Sequence, residues 1–372
     1  MKLPAFKLEE YFAQFEFSAP YMMGSSDPET HQMSEILQMA DQECLSLWNN
    51  LALSYTETRG LPLLRQEIST LYQTVNPENL LVFSGAEEAI FISMQVLLKK
   101  GDQALVLTPC YQSLQQIPQA LGAEVKEFPL EWKNDHWQFN LEKFKSAINA
   151  NTKLVILNFP HNPTGFHPSQ ELFKSILDII HQHQVYLFCD EVYRFSEYQE
   201  HNRLPNAVDV YDKALSLGVM SKSFGLAGLR LGWLAASDPN LIKEIAAYKN
   251  YTTLCNSAPS EILALIALRN KEQILQRNIG IAQTNLDRLD AFFKRYTPMF
   301  EWYRPQAGFI NFPRLKLEID IASFATKLRA QEGVLIVPGT LFDNHHNHFR
   351  LGFGRRNLPQ ALAGLERFIA QL

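Results

Sequence analysis

The sequence predicts an α/β protein: a large three-layer αβα domain around a mostly parallel sheet, with a smaller α+β domain beside it. Three observations lead there. Short apolar runs in the middle of the chain repeatedly precede a turn bearing Gly, Pro or Asp and then a helix-like segment, the pattern of strand–helix–strand units. The chain has 372 residues, beyond the size at which one hydrophobic core stops growing, and 46% of them are apolar, enough to fill real cores. After about residue 240 the texture changes to long helical stretches with short strand-like pieces, as a second lobe requires.

Taken in order, the expected strands are residues 80–83, 104–108, 154–159, 185–189, 214–219 and 229–235. Helical patterns such as 87–99 and 170–183 separate many of them, and parallel neighbours need such crossovers. A connecting helix at 240–251, a helical stretch at 260–295, strand-like residues around 308–312 and an amphipathic helix at 359–372 complete the chain. The expected division puts residues 30–275 in the large domain, and 1–29 with 276–372 in the small one. Ligands of such sheets gather at the carboxyl ends of the strands. Those ends carry Ser84-Gly85-Ala86, Pro109-Cys110-Tyr111, Asn162, Asp190 and Lys222, so five loops are expected to converge on one crevice.

Composition narrows the function class. Thirty-four basic against thirty-nine acidic residues give a formal charge of -5, without the basic field that nucleic-acid binding requires. Cys44, Cys110, Cys189 and Cys255 are scattered, with no Cys-x-x-Cys pair, and read as reduced thiols. Residues 1–17 mix charged and aromatic side chains and lack an apolar signal region, and no later run approaches a membrane span. A cytoplasmic protein of small-molecule chemistry is expected, with no nucleic-acid and no membrane partner.

Lys222 lies in Ser221-Lys222-Ser223-Phe224-Gly225-Leu226-Ala227-Gly228-Leu229-Arg230, a lysine framed by small residues that leave room beside it. A desolvated lysine amine can form a Schiff base with an aldehyde; the same tripeptide is otherwise a surface lysine in a Gly-rich loop. Asp190 closes an apolar run and precedes Glu191-Val192-Tyr193. It reads as a buried carboxylate that needs a cation, as a helix cap or as a metal-site residue. In Pro160-His161-Asn162-Pro163-Thr164-Gly165, two prolines hold Asn162 in a rigid loop, or merely make a turn.

Asn-Pro-Thr-Gly, then Asp-Glu-Val-Tyr, then Ser-Lys-x-Phe-Gly with Arg230 eight residues past the lysine, resembles in order and spacing the class I/II aminotransferases, pyridoxal phosphate enzymes of fold type I. The resemblance covers roughly residues 55–350 and implies an aspartate aminotransferase-like fold. It implies that Lys222 carries pyridoxal 5′-phosphate as an internal aldimine and moves the substrate's proton. Asp190 is then the partner of the ring nitrogen, and Asn162 and Tyr193 those of the phenolic oxygen. The amides of Gly85, Ala86 and Glu87 at a helix start, with Ser221 and Arg230, fit a phosphate. Val219 stands where the family usually has a hydroxyl three residues before the lysine. Tyr111 matches the ring-stacking aromatic, and Arg350 the guanidinium that grips the substrate α-carboxylate beside Asn162. Tyr55 matches a tyrosine that reaches the neighbouring subunit's phosphate, which implies a homodimer with shared sites.

The reaction implied is amino-group transfer between an α-amino acid and a 2-oxo acid. The segment 15–29 at the mouth of the site, with Ser84-Gly85-Ala86-Glu87 and Tyr111-Gln112, resembles the branch containing capreomycidine synthase and arginine-oxidising enzymes. On that resemblance a cyclase, oxidase or lyase acting on an amino acid such as arginine is the alternative, and Glu16, Asp27 or Glu29 would meet a cationic side chain; otherwise they are a solvated turn and helix start. A non-catalytic effector-sensing module is a distant third, because no basic helix-turn-helix stretch accompanies the motifs. His345, His346 and His348 beside Asp343 are too crowded for a metal site, and Arg355 and Arg356 read as a solvated pair.

Overall fold

The computed structural model describes residues 2–372; Met1, the first residue of the segment assigned above to the small domain, lies outside them. One seven-stranded sheet runs in the order Leu80–Phe83, Gly232–Ala236, Ala214–Val219, Tyr186–Asp190, Thr152–Asn158, Gln103–Thr108, Glu124–Pro129. From Ala214–Val219 out to Glu124–Pro129 all neighbours are parallel, whereas Gly232–Ala236 runs against both of its own.

Alternate residues of these strands enter different cores. Leu154 and Ile156 pack on one face, Val155 and Leu157 on the other. Both faces are therefore dry, which is why the inner strands are continuous apolar runs. The helix Ala86–Leu97 covers the first face and Gln170–His183 the second. The latter starts where Ser169 Oγ accepts from Leu172 N at 3.1 Å and ends at Gln184, whose φ is 53°. It buries Phe173, Ile176, Leu177, Ile179 and Ile180. Each such side chain contributes roughly 1.5–3 kcal/mol of burial against about 1 kcal/mol for the cap, so the apolar face fixes the helix.

Two expectations are corrected and one strand had not been expected. The stretch 260–295 is two helices, Ala258–Arg269 and Lys271–Arg295. Asn270 divides them, its Nδ2 donating to Ile266 O at 2.8 Å and Met39 O at 3.0 Å, so a side chain competes with the backbone for helix carbonyls. The strand expected from 229 begins at Gly232, because residues 227–229 form a 3-10 turn and Arg230 adopts φ 48°. The edge strand Glu124–Pro129 was not anticipated: Glu124 and Glu127 are exposed, Lys126 is half-buried and only Phe128 is buried, as suits an edge. Toward the C-terminus an antiparallel sheet orders Ile310–Asn311, Phe349–Gly352 and Val337–Pro338, with the helices Ile321–Glu332 and Leu358–Ile369 beside it. Among the described residues no helix is long and apolar enough to cross a membrane.

Candidate active site

A cavity of about 620 Å³ opens at the carboxyl ends of the large sheet. All five expected loops reach its neighbourhood: Ala86 and Glu87, Tyr111, Asn162, Asp190 and Lys222 line it, with Tyr193, Ser221, Arg230 and Arg350. At one end Gly85, at φ 96°, precedes the twelve-residue helix Ala86–Leu97. A Cβ on Gly85 would lie 2.8 Å from Arg230 Nη2, so the glycine lets the guanidinium sit against the helix start. Gly85 N itself donates to Phe83 O at 2.8 Å, so of the three amides expected there those of Ala86 and Glu87, with the helix dipole and a permanent cation, make that end an anion cradle. Val219 lines the same wall without a hydroxyl. Glu87 also faces the cavity; Ser113 Oγ donates to it at 3.0 Å, and burial pushes its carboxyl up to about 7.

In the middle of the cavity Lys222 Nζ donates to Ser26 Oγ at 2.8 Å. Asp190 is 5% exposed, and its Oδ1 accepts from Val192 N at 3.2 Å. Burial pushes Asp190 up to about 7, against the pull of that amide and of Lys222. Tyr193 Oη is buried with no hydrogen-bond partner among the described residues, a condition that costs about 1–3 kcal/mol. These groups fit pyridoxal 5′-phosphate: an anion cradle, a buried carboxyl for a ring N–H, an unpaired phenol for a ring oxygen and a primary amine for an aldehyde.

Arg350, 1% exposed, stands on the strand Phe349–Gly352. Its Nη1 donates to Asn162 Oδ1 at 3.1 Å and its Nη2 to Gly24 O at 3.0 Å. Burial lowers its pKa, with Tyr193 and Glu9 opposing, yet a guanidinium remains a cation and its planar fork suits a carboxylate.

The mouth is built by the helix Lys7–Phe15 and the segment after it. Glu9 accepts from Tyr111 Oη at 2.8 Å, and burial raises the tyrosine's pKa well above its usual value. Phe6 packs on the same ring at 5.1 Å. Glu16 lines the cavity with no side-chain hydrogen bond among the described residues; burial, then Asp27, raises its pKa. Asp27 also lines it, paired with Arg355 Nη2 at 3.0 Å. Arg355 is thus a half-buried partner of the mouth rather than half of a solvated pair. Glu29 turns away from the cavity, accepting from Arg356 N at 3.0 Å. Tyr55 lies off the cavity and is 85% exposed, as is Leu53 two residues before it; the next residue, Thr56, is tied down by its Oγ1 donating to Asn256 O at 2.9 Å. His345, His346 and His348 line a separate cavity of about 510 Å³ with Asp343, where burial pushes His348 down to about 4. Glu9, Ser25 and Ser26 also line the site: the two serines fall within the expected mouth segment 15–29 without having been singled out, and nothing local in the sequence marks Glu9.

The fold and this constellation define an enzyme of amino-group chemistry. Residues 22–364 match the family described as aminotransferase class I and II, and the chain belongs to that family. It is similar to capreomycidine synthase of Streptomyces vinaceus, 27% identical over 98% of this chain and 93% of that one. It is also similar to a probable aspartate aminotransferase of Methanocaldococcus jannaschii, 28% identical over 81% of each. Among solved structures, a PLP-dependent aminotransferase from Streptococcus suis superposes with a TM-score of 0.93 at 30% identity, covering 100% of this chain and 99% of that one.

Proposed function

We propose that the protein is a pyridoxal 5′-phosphate-dependent aminotransferase moving the amino group of an α-amino acid to a 2-oxo acid. The observation that carries this reading is the meeting of Lys222, Asp190, Arg230 and Arg350 in one cavity. The amides of Ala86 and Glu87 with Ser221 and Arg230, for whose guanidinium Gly85 makes room, would hold the phosphate, Asp190 the ring nitrogen, Asn162 and Tyr193 the ring oxygen, Tyr111 the ring face and Lys222 the aldehyde. When bound, the cofactor supplies an electron sink for the pair left when substrate Cα loses its proton. Lys222 Nζ takes that proton from Cα and delivers it again. Arg350 and Asn162 orient the substrate by its α-carboxylate, and Tyr111, with the helix Lys7–Phe15, shields the reacting face from water.

With Arg350 assigned to the α-carboxylate, the remaining charges at the mouth are Glu9, Glu16 and Asp27 against Arg355. Glu16 is the unpaired member, so a cationic side chain fits the donor best. The same acidic mouth is compatible with the second reading, in which a cationic amino acid is cyclised, oxidised or cleaved from the same starting complex; similarity to a relative named capreomycidine synthase supports it, against several named aminotransferases. Tyr55 and the exposed apolar residues around it support a homodimer whose partner receives this tyrosine at its phosphate.

The experiment is a panel of amino acids, arginine, lysine, aspartate and alanine included, added singly to the purified holoenzyme. Transamination converts the bound cofactor to its pyridoxamine form and releases one 2-oxo acid without any acceptor. Ammonia or peroxide release with no pyridoxamine form would replace the aminotransferase reading by the second. Glu16→Gln should lower kcat/KM for cationic donors about tenfold while sparing the others, as loss of one partly buried charge contact predicts.

A further inference from the structure

Asn158 closes the strand Thr152–Asn158, is 3% exposed, and stands opposite Asp190 in the sheet register. Its amide uses a donor on one loop and its acceptor on another: Nδ2 donates to Asp190 O at 2.9 Å, and Oδ1 accepts from Asn162 N at 2.7 Å. The series continues through Asn162 Oδ1 and Arg350 Nη1 at 3.1 Å to Arg350 Nη2 and Gly24 O at 3.0 Å. Asp190, Asn162 and Arg350 are each at most 8% exposed, so water does not compete for these bonds. A continuous line of hydrogen bonds thus joins the strand end bearing the ring-facing carboxyl to the guanidinium assigned to the substrate carboxylate. An aspartate in this place keeps the acceptor and loses the donor; an alanine loses both, and leaves the Asp190 carbonyl and Asn162 amide a partner short.

We propose, on the reading that this cavity is the aminotransferase site, that Asn158 is a positioning residue. It fixes the separation of Asp190 from the Asn162–Arg350 pair, so that cofactor ring and substrate carboxylate are held in one frame. Its substitution therefore acts at both ends of the site, and the two ends can be separated by choosing which half of the amide is removed.

The test compares the holoenzyme with Asn158→Ala, Asn158→Asp and Asn206→Ala, the last removing another buried amide, which donates to Leu71 O at 3.1 Å and lies off the cavity. Three quantities are read: the dissociation constant of pyridoxal 5′-phosphate, the KM of the panel amino acid that wild type turns over fastest, and the melting temperature. Asn158→Ala should raise both constants about tenfold, the equivalent of one lost buried hydrogen bond at each end. Asn158→Asp should weaken the cofactor by a similar factor but hold KM within about threefold, since Asn162 N keeps its acceptor. Asn206→Ala should lower the melting temperature alone. Asn158→Ala behaving like Asn206→Ala, with a lower melting temperature and both constants within about twofold of wild type, overturns the proposal. If Asn158→Ala does not fold, Asn158→Asp decides by itself, because equal changes in its two constants, or none, contradict the split. A wild type that neither binds pyridoxal 5′-phosphate nor turns over any amino acid overturns the functional reading and this inference with it; a normal wild type with normal variants overturns this inference alone.

Discussion

Asp190→Asn in the cofactor-free protein measures what it costs to bury this carboxyl. Burial carries its pKa from 3.8 to about 7. Between those values the folded chain keeps a proton that the unfolded chain has released. The group's contribution to stability is therefore complete below about pH 4 and lost as pH rises through about 7. The span corresponds to about 4 kcal/mol at 1.36 kcal/mol per pH unit, or about 5 °C in Tm for a chain of this length. Calorimetry of both proteins at pH 5 and pH 8 is the assay. About two of those pH units lie between pH 5 and pH 8, so wild type should lose about 3 °C relative to Asp190→Asn between the two pH values, the shared contribution of Glu87 largely cancelling in the difference. Adding pyridoxal 5′-phosphate should recover wild type at pH 8 far more than the variant, because on the proposed reading a ring N–H cation would face the carboxylate. A wild-type-minus-variant difference that is the same at both pH values would refute the argument, since Asp190 would then ionise at no cost in the fold.

Lys222→Ala should retain cofactor through the phosphate and ring contacts but lose its covalent attachment, seen as a changed absorbance maximum, and lower turnover by roughly a thousandfold or more. Arg350→Lys replaces a planar fork with a point charge and abandons the bonds to Asn162 and Gly24, so KM for amino acid and 2-oxo acid should rise by about tenfold or more in steady-state assays. Gly218→Ala would put a Cβ 2.3 Å from the Trp233 ring in the middle of the sheet, and urea denaturation should register a loss of about 1–3 kcal/mol.

The strands buried on both faces could be read from the sequence because they write themselves as unbroken apolar runs: the edge strand Leu80–Phe83 and the inner strand Ala214–Val219, both wholly buried, fall where those runs end. Lys222, Asp190 and Asn162 could be found because strand ends point to ligands. Arg350 and Tyr193 needed the family resemblance, since nothing beside them in the chain marks a carboxylate grip or a phenol partner. Glu9, Ser26 and Asn158 stayed hidden for a common reason: their partners are 102, 196 and 32 residues away, and only the folded chain brings them together. The edge strand Glu124–Pro129 and the break at Asn270 were lost to local polarity, which a sequence pattern reads as loop in one case and as helix surface in the other.

The reversed strand Gly232–Ala236 has a consequence for how the site can vary. A parallel continuation from Ala214–Val219 would have carried the chain back past the far end of the sheet before returning. Running antiparallel, it leaves and re-enters at the same end, with residues 220–231 between. Lys222 and Arg230 therefore sit on a single short tether whose two ends are pinned by the sheet. That tether acts as a ruler between amine and anion cradle: one residue added to or removed from 223–229 would change their spacing, with no crossover helix to absorb the difference.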